Sequence, residues 1–298
     1  MSTQPHLSTS LKPPPSVSYR MSTIWQNRWR PTRRLTSLPS RSRRWVHLLL
    51  FLLTVVSTTI VGGFSYSACL VTILGAHEFG HYFVARLYKV EATLPYFIPF
   101  PSLFGTLGAV IRMSPRIPNR KALFDIAAAG PLAGLVVAIP VSLVGIYLSE
   151  RTIAQPGQTV VMLGDPLLFK IMEWLFFGDR IQGTDLMLHP IGFAGWVGLF
   201  VTALNLLPLG QLDGGHISYA LFGRHAKVLA GVVFVALLVV TITQGYHYAL
   251  ILVLLWFMGL KHPTTLDDSC EIGSHRRGIA LLLAIVLVTC FSPVPVQF

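Results

Sequence analysis

Seven apolar runs dominate this sequence, at about 45–63, 66–87, 123–148, 189–207, 228–243, 247–261 and 278–292. A helix needs about 20 such residues to cross a hydrocarbon core roughly 30 Å thick, and only the last three runs fall clearly short of that. Charged residues make up only 12% of the chain, about half the share usual in soluble domains. The class that fits is an all-α polytopic membrane protein with about seven transmembrane helices.

The net charge of +11 is unevenly spread. Residues 1–44 hold nine Lys and Arg, no acid, and many Ser and Pro. They lack the apolar centre of a secretory signal and read as a basic, disordered cytoplasmic tail, with an organellar transit peptide as the alternative. Residues 45–298 form the membrane domain. With the N-terminus inside, twenty Lys and Arg fall in inside segments and three outside, namely Arg151, Lys170 and Arg180. That bias orients the chain with its N-terminus cytoplasmic and its C-terminus outside. It also argues against a nucleic-acid partner, because the positive charge lies in a tail and short loops beside a bilayer. Cys69 and Cys290 lie in apolar runs and Cys270 in a loop placed in the cytoplasm, so no disulfide framework is expected.

Two stretches are not expected to span. Residues 94–118 are apolar but broken by five prolines, and Leu107–Ile111 is rich in β-formers. Non-helical backbone at membrane depth must lie against protein or a wet cavity, so this stretch is either a re-entrant β-like segment or an ordinary cytoplasmic loop. Residues 166–178 read as a short amphipathic helix on the outer leaflet.

The second run contains His77-Glu78-Phe79-Gly80-His81. On a helix, residues four apart share a face, so both imidazoles can bind one metal ion while Glu78 reaches a water beside it. An ionisable residue inside an apolar helix is costly and usually functional. The fourth run ends in Asn205-Leu206-Leu207-Pro208, and Leu209-Gly210-Gln211-Leu212-Asp213-Gly214-Gly215-His216 follows. Both runs are oriented from outside to inside, so their ends meet. Pro208 interrupts the helix, and Gly214 and Gly215 allow a turn that aims Asp213 inward as a third ligand. The competing role for Asp213 is the N-cap of a helix over 216–223. Asp125 reads most simply as a cap at the start of the third run. Gly130 and Gly134 make a small-xxx-small face for close helix packing. His216 and His262 read as interfacial.

HEFGH in an apolar helix followed by NLLPLGQLDGG at the end of a later one resembles the site-2 protease family of intramembrane zinc metalloproteases. FGTLGAV and FDIAAAGPLAG resemble stretches of its PDZ-lacking cyanobacterial and plastid-type members. The resemblance covers about residues 66–220, the expected catalytic core. It implies one Zn2+ per chain held by His77, His81 and Asp213. It makes Glu78 the general base and Asn205 a catalytic residue that steadies the substrate or tetrahedral intermediate. It further implies a membrane-protein substrate cut within or near a transmembrane helix, as in regulated intramembrane proteolysis, and a bacterial plasma membrane location with an organellar membrane as the alternative.

A metal carrier using the same cluster would need no base at position 78, and a silent scaffold would usually have lost a ligand. A prenyl-protein endopeptidase would take its third ligand from a downstream acidic residue, and the last three runs contain none.

Overall fold

The computed structural model describes residues 44–153, 162–164, 166–178, 184–245, 248–249, 252–253 and 264–297. The expected tail, most of the run 247–261, and His262 lie outside the described residues.

The first helical element, α1 (Arg44–Leu87), joins the first two apolar runs. A straight helix of 44 residues would be about 66 Å long, twice the thickness of a bilayer core. It is not straight. Gly63 has φ 81 and ψ 177, a conformation only glycine adopts cheaply. Thr58 Oγ1 lies 2.7 Å from Ser67 Oγ, and Ser67 Oγ donates to the Val55 carbonyl at 3.2 Å. Along a straight helix these pairs would be about 13 and 18 Å apart. The chain therefore doubles back at Gly63, and α1 is a helical hairpin of two limbs.

A strand pair follows. β1 (Tyr96–Pro99) and β2 (Thr106–Val110) are antiparallel, with Tyr96 opposite Val110 and Phe97 opposite Ala109. This pair lies beside the first limb of α1: His47 Nδ1 bonds the Pro95 carbonyl at 3.0 Å, and Ser57 Oγ donates to the Gly105 carbonyl at 2.6 Å. The hairpin tip is wedged into the α1 turn, where a Cβ on Gly105 would sit 2.8 Å from Thr58 Cα.

Helix α2 (Arg120–Tyr147) begins behind Asn119, whose side chain accepts from the Ala122 amide. Asp125 is therefore not the cap. It lies inside the helix and accepts two bonds from Arg276, at 2.8 and 2.6 Å, and one from the Tyr88 hydroxyl at 2.5 Å.

Next come β3 (Glu150–Ile153), β4 (Met162–Leu163), the short helix α3 (Leu167–Phe177) and β5 (Thr184–Met187). β3 pairs with β5, and β4 pairs with β6 (Val296–Gln297), both antiparallel. These strands were not expected. The fold is mostly helical rather than purely so.

Helix α4 (Pro190–Leu206) leads through Leu207–Leu212 into α5 (Asp213–Phe222), then a 3-10 turn, α6 (Ala226–Gln244), and finally α7 (Ser274–Cys290). Three helical stretches are long and apolar enough to cross a membrane: Arg44–Leu87, Arg120–Tyr147 and Asp213–Gln244, the last joining α5 to α6. Helix α4 is apolar but shorter.

The core forms where the second limb of α1, α2 and α4 meet, through Tyr66, Leu70, Ile73, Leu135, Trp196 and Leu199. Helices α2 and α4 approach so closely that a Cβ on Gly145 would fall 2.1 Å from the Gly192 backbone. Large apolar side chains also face outward, such as Leu48, Leu52 and Val56 on α1 and Val228, Val232 and Val235 on α6. Exposed aliphatic stripes of this length suit hydrocarbon rather than water.

The stretch 264–273 binds the start of α2: Leu266 N donates to Ile117 O at 3.0 Å and Asp267 N to Pro118 O at 3.1 Å. Tyr219 of α5 donates to Asp268 at 2.7 Å. Asp268 lies outside the apolar helices. Slight desolvation works against ionisation, but bonds from Thr265 and Tyr219 hold its carboxyl below the usual range.

Candidate metal centre

His77 and His81 lie one turn apart on the second limb of α1, so their rings leave the same face. Asp213 is the first residue of α5 and reaches them from the opposite side. His77 Nε2 is 3.1 Å from Asp213 Oδ2, His81 Nε2 is 3.3 Å from the same oxygen, and the two Nε2 atoms are 3.2 Å apart. Both histidines are about 95% buried. Among the described residues, these three form the one group whose ligand atoms all converge.

The triangle they form fits a metal ion. Bonds of about 2.0–2.1 Å at tetrahedral angles put ligand atoms about 3.3 Å apart, close to all three sides. The protonation pattern agrees. His81 Nδ1 lies 2.7 Å from the Ile126 carbonyl, which can only accept, so the proton is on Nδ1 and Nε2 presents a lone pair. Two ring nitrogens and a carboxylate oxygen meeting this closely suit a divalent cation.

Two glycines of α2 make room for the rings. A Cβ on Gly130 would lie 2.1 Å from His81 Nε2, and one on Gly134 would lie 3.3 Å from His77 Nδ1. The small-xxx-small face of α2 therefore receives the ligand rings themselves: its four-residue spacing matches His77/His81 in reverse order. Sequence reasoning found the glycines but assigned them to general helix packing. Gly80 likewise lets α1 approach α2, since its Cβ would be 2.5 Å from the Ala129 carbonyl.

The Asp213 segment is also built on close approach. Gly210 takes φ 50 and provides the turn after Pro208. Gly214 and Gly215, expected to turn the chain, instead sit in the first turn of α5. A Cβ on Gly214 would be 1.9 Å from the Leu206 carbonyl, and one on Gly215 would be 2.4 Å from the Gly210 carbonyl. Gly214 presses α5 onto the end of α4 and Gly215 onto the connecting segment, and together they set the depth of Asp213.

Glu78 is buried next to the triangle but is not one of its corners. Its carboxylate lies near the Ile111 backbone amide, directly after β2, so the strand pair forms one wall of the site. Asn205 comes from the last turn of α4, with Nδ2 3.3 Å from His77 Nε2. All five residues singled out from the sequence therefore meet in one place. His216 is half-buried and outside the triangle. The Ile111 amide and the Ile126 carbonyl were not anticipated, because backbone groups carry no signal in residue types.

Comparison with known proteins matches residues 65–243 to the model for peptidase family M50. "Probable zinc metalloprotease EGY1, chloroplastic" of Arabidopsis thaliana is 32% identical over 74% of this chain and 41% of its own length. "Probable zinc metalloprotease EGY2, chloroplastic" of Oryza sativa subsp. indica is 30% identical over 75% of this chain and 42% of its own length. The chain thus spans about two fifths of these relatives. Since the family match covers more than half of the chain, the chain belongs to peptidase family M50, the site-2 protease family, and is of its plastid-like type.

Proposed function

We propose that this chain is an intramembrane zinc endopeptidase that hydrolyses a peptide bond within or near a transmembrane segment of a membrane protein. The observation that carries this is a triangle of His77, His81 and Asp213 donors, 3.1–3.3 Å on a side, borne by two helical stretches each apolar enough to cross a bilayer. The names of the plant relatives, and the fit of the triangle to a tetrahedral ion, support zinc as the metal, one per chain.

His77, His81 and Asp213 would hold a zinc ion, and the Ile126 carbonyl keeps the His81 proton on Nδ1. The ion would supply a more acidic water and a polarised carbonyl there. Glu78 takes a proton from the attacking water on its carboxylate and delivers it to the leaving amine. The Asn205 amide donates to the oxygen that gains charge. A substrate helix must unwind first, because its own carbonyls are occupied. It then pairs with the free edge of β2, whose far end adjoins Glu78 through Ile111.

The same proposal includes about seven membrane crossings, with the N-terminus in the cytoplasm, the C-terminus outside, and residues 1–44 as a disordered cytoplasmic tail. The two limbs of α1, with α2, α4, α6 and α7, supply helices at six of the expected runs. The strand pair lies along the first limb from His47 to Ser57, which supports a re-entrant position for residues 94–118. The outward side of α3 carries Leu167, Ile171, Trp174 and Leu175, a stripe suited to a membrane surface. The membrane is a bacterial plasma membrane, or by analogy with the relatives an organellar one.

The test separates metal binding from chemistry. Purified in detergent, Glu78→Gln should keep about one zinc per chain by elemental analysis, while cleavage of a model transmembrane peptide falls about 10²–10⁴-fold. Ala at His77, His81 or Asp213 should lose zinc and activity together. A wild-type chain that holds no zinc, or a fully active Asp213→Ala, would refute the assignment.

A further inference from the structure

A cavity of about 580 Å³ opens between the end of α4, α5, the start of α6 and the first four turns of α7. This size lies within the range of small-molecule pockets. Its walls are almost entirely apolar, with Leu206, Ile217, Leu221, Phe222, Leu283 and Leu287 among them. Only two polar side chains reach it. Ser218 already spends its proton on the Gly215 carbonyl at 3.0 Å. The other is Arg277, exposed in the first turn of α7.

Arg277 differs from its neighbour. Arg276 is committed to Asp125 through two bonds, whereas no described acid forms an ion pair with Arg277. The α7 residues lining the cavity, Arg277, Ala280, Leu281, Leu283, Ala284 and Leu287, lie on one side of the helix. Ten residues of helix measure about 15 Å, half of a hydrocarbon core about 30 Å thick. The cleft is thus one leaflet deep, apolar along its length, and cationic at the end where α7 begins. An unwound polypeptide in such a cleft would find no partners for its backbone polar groups, whereas an acyl chain needs none, and the single cation at its mouth complements a phosphate.

We propose that this cleft is a binding site for an anionic phospholipid, with the headgroup phosphate on Arg277 and one acyl chain along Ala280–Leu287. Basic residues between membrane helices hold anionic headgroups in this way. Gly214 and Pro208 form part of the wall, so the acyl chain packs behind the segment that carries Asp213. Occupancy stiffens that segment and slows loss of the metal. The site requires membrane embedding but not peptidase activity, so it stands or falls apart from the proposed hydrolysis.

The full chain, purified in detergent, is equilibrated with nanodiscs of phosphatidylglycerol or of phosphatidylcholine, and lipids retained after re-extraction are counted by native mass spectrometry. One phosphatidylglycerol should be retained per chain, in preference to phosphatidylcholine. Arg277→Gln should reduce that preference roughly fivefold. Ala284→Phe should displace both lipids, and Ala280→Leu provides a milder filling variant should the first misfold. A photoreactive residue at position 281 should crosslink to acyl chains in phosphatidylglycerol vesicles. Equal retention of the two lipids by the wild type, an unchanged preference in Arg277→Gln, or crosslinking to an added transmembrane peptide at the expense of lipid would each overturn the proposal.

Discussion

Gly130→Ala is the most informative single substitution, because it adds one carbon at a place where the structure leaves no room for it. The new Cβ would lie 2.1, 2.4 and 2.5 Å from Nε2, Cε1 and Cδ2 of His81. Ordinary contacts begin near 3.4 Å, so the ring must retreat by about 1.3 Å or the helices must part. Metal–ligand distances tolerate only about 0.2 Å. Displacement on that scale removes His81 from the triangle and breaks its bond to the Ile126 carbonyl. Overpacking costs about 1–3 kcal/mol of stability, and a misdirected ligand about 10–100-fold in metal affinity. Gly134→Ala is the internal control: its Cβ would be 3.3 Å from His77, a few tenths of an ångström short, and its effect should be slight. Zinc retention is read by chelator competition followed by elemental analysis, and stability by thermal unfolding in detergent. In a His81→Ala background, Gly130→Ala should cost far less, because the ring it strikes is gone. A Gly130→Ala chain that holds zinc as tightly as the wild type would refute this account of the site.

Leu107→Pro removes a backbone donor from β2, so peptide cleavage should fall while zinc content stays whole; unchanged turnover would assign the strand pair to packing alone. Reporter fusions should place Arg116 and Ser274 in the cytoplasm and Gln155 outside, and an outside signal at Arg116 would overturn the topology. Arg276→Gln should lower thermal stability by on the order of 1 kcal/mol, since the Asp125 pair is bidentate but only partly buried; an unshifted melting temperature would show that α7 is held by its apolar contacts. The Asp268 carboxyl is held below its usual range, so the stability it contributes is present above the ordinary carboxylate pKa and lost as pH falls through the lowered value. Asp268→Asn should therefore weaken the acid limb of a pH–stability profile and leave the neutral region nearly flat.

The parts of the site that could be read from the sequence are those whose chemistry lies in side chains at fixed local spacing. His77 and His81 needed only the helical period, and Asp213 stood out as an acid among glycines after a proline. What escaped was set by contacts distant in sequence. Gly130 and Gly134 were visible as small residues, but nothing local revealed that they faced imidazoles rather than another helix. Asp125 was read as a cap because the apolar run begins near it. Asn119, directly after Pro118, carried the better capping signal and makes the bond. The strands at 150–153 and 184–187 lack apolar alternation and exist because they find each other. The break in α1 was expected between the first two runs, and the structure puts it at Gly63.

The Asp125–Arg276 tie joins residues 151 positions apart, and this bears on biosynthesis. Chains emerge from the ribosome N-terminus first, so His77, His81 and Asp213 are all made well before α7. The metal triangle can therefore assemble in a chain whose last helix is still being synthesised, while the cleft behind α5 still lacks the wall that Arg277 and Leu287 provide. That wall arrives when Arg276 reaches Asp125, and α7 then closes over whatever bilayer molecule already lies against α5.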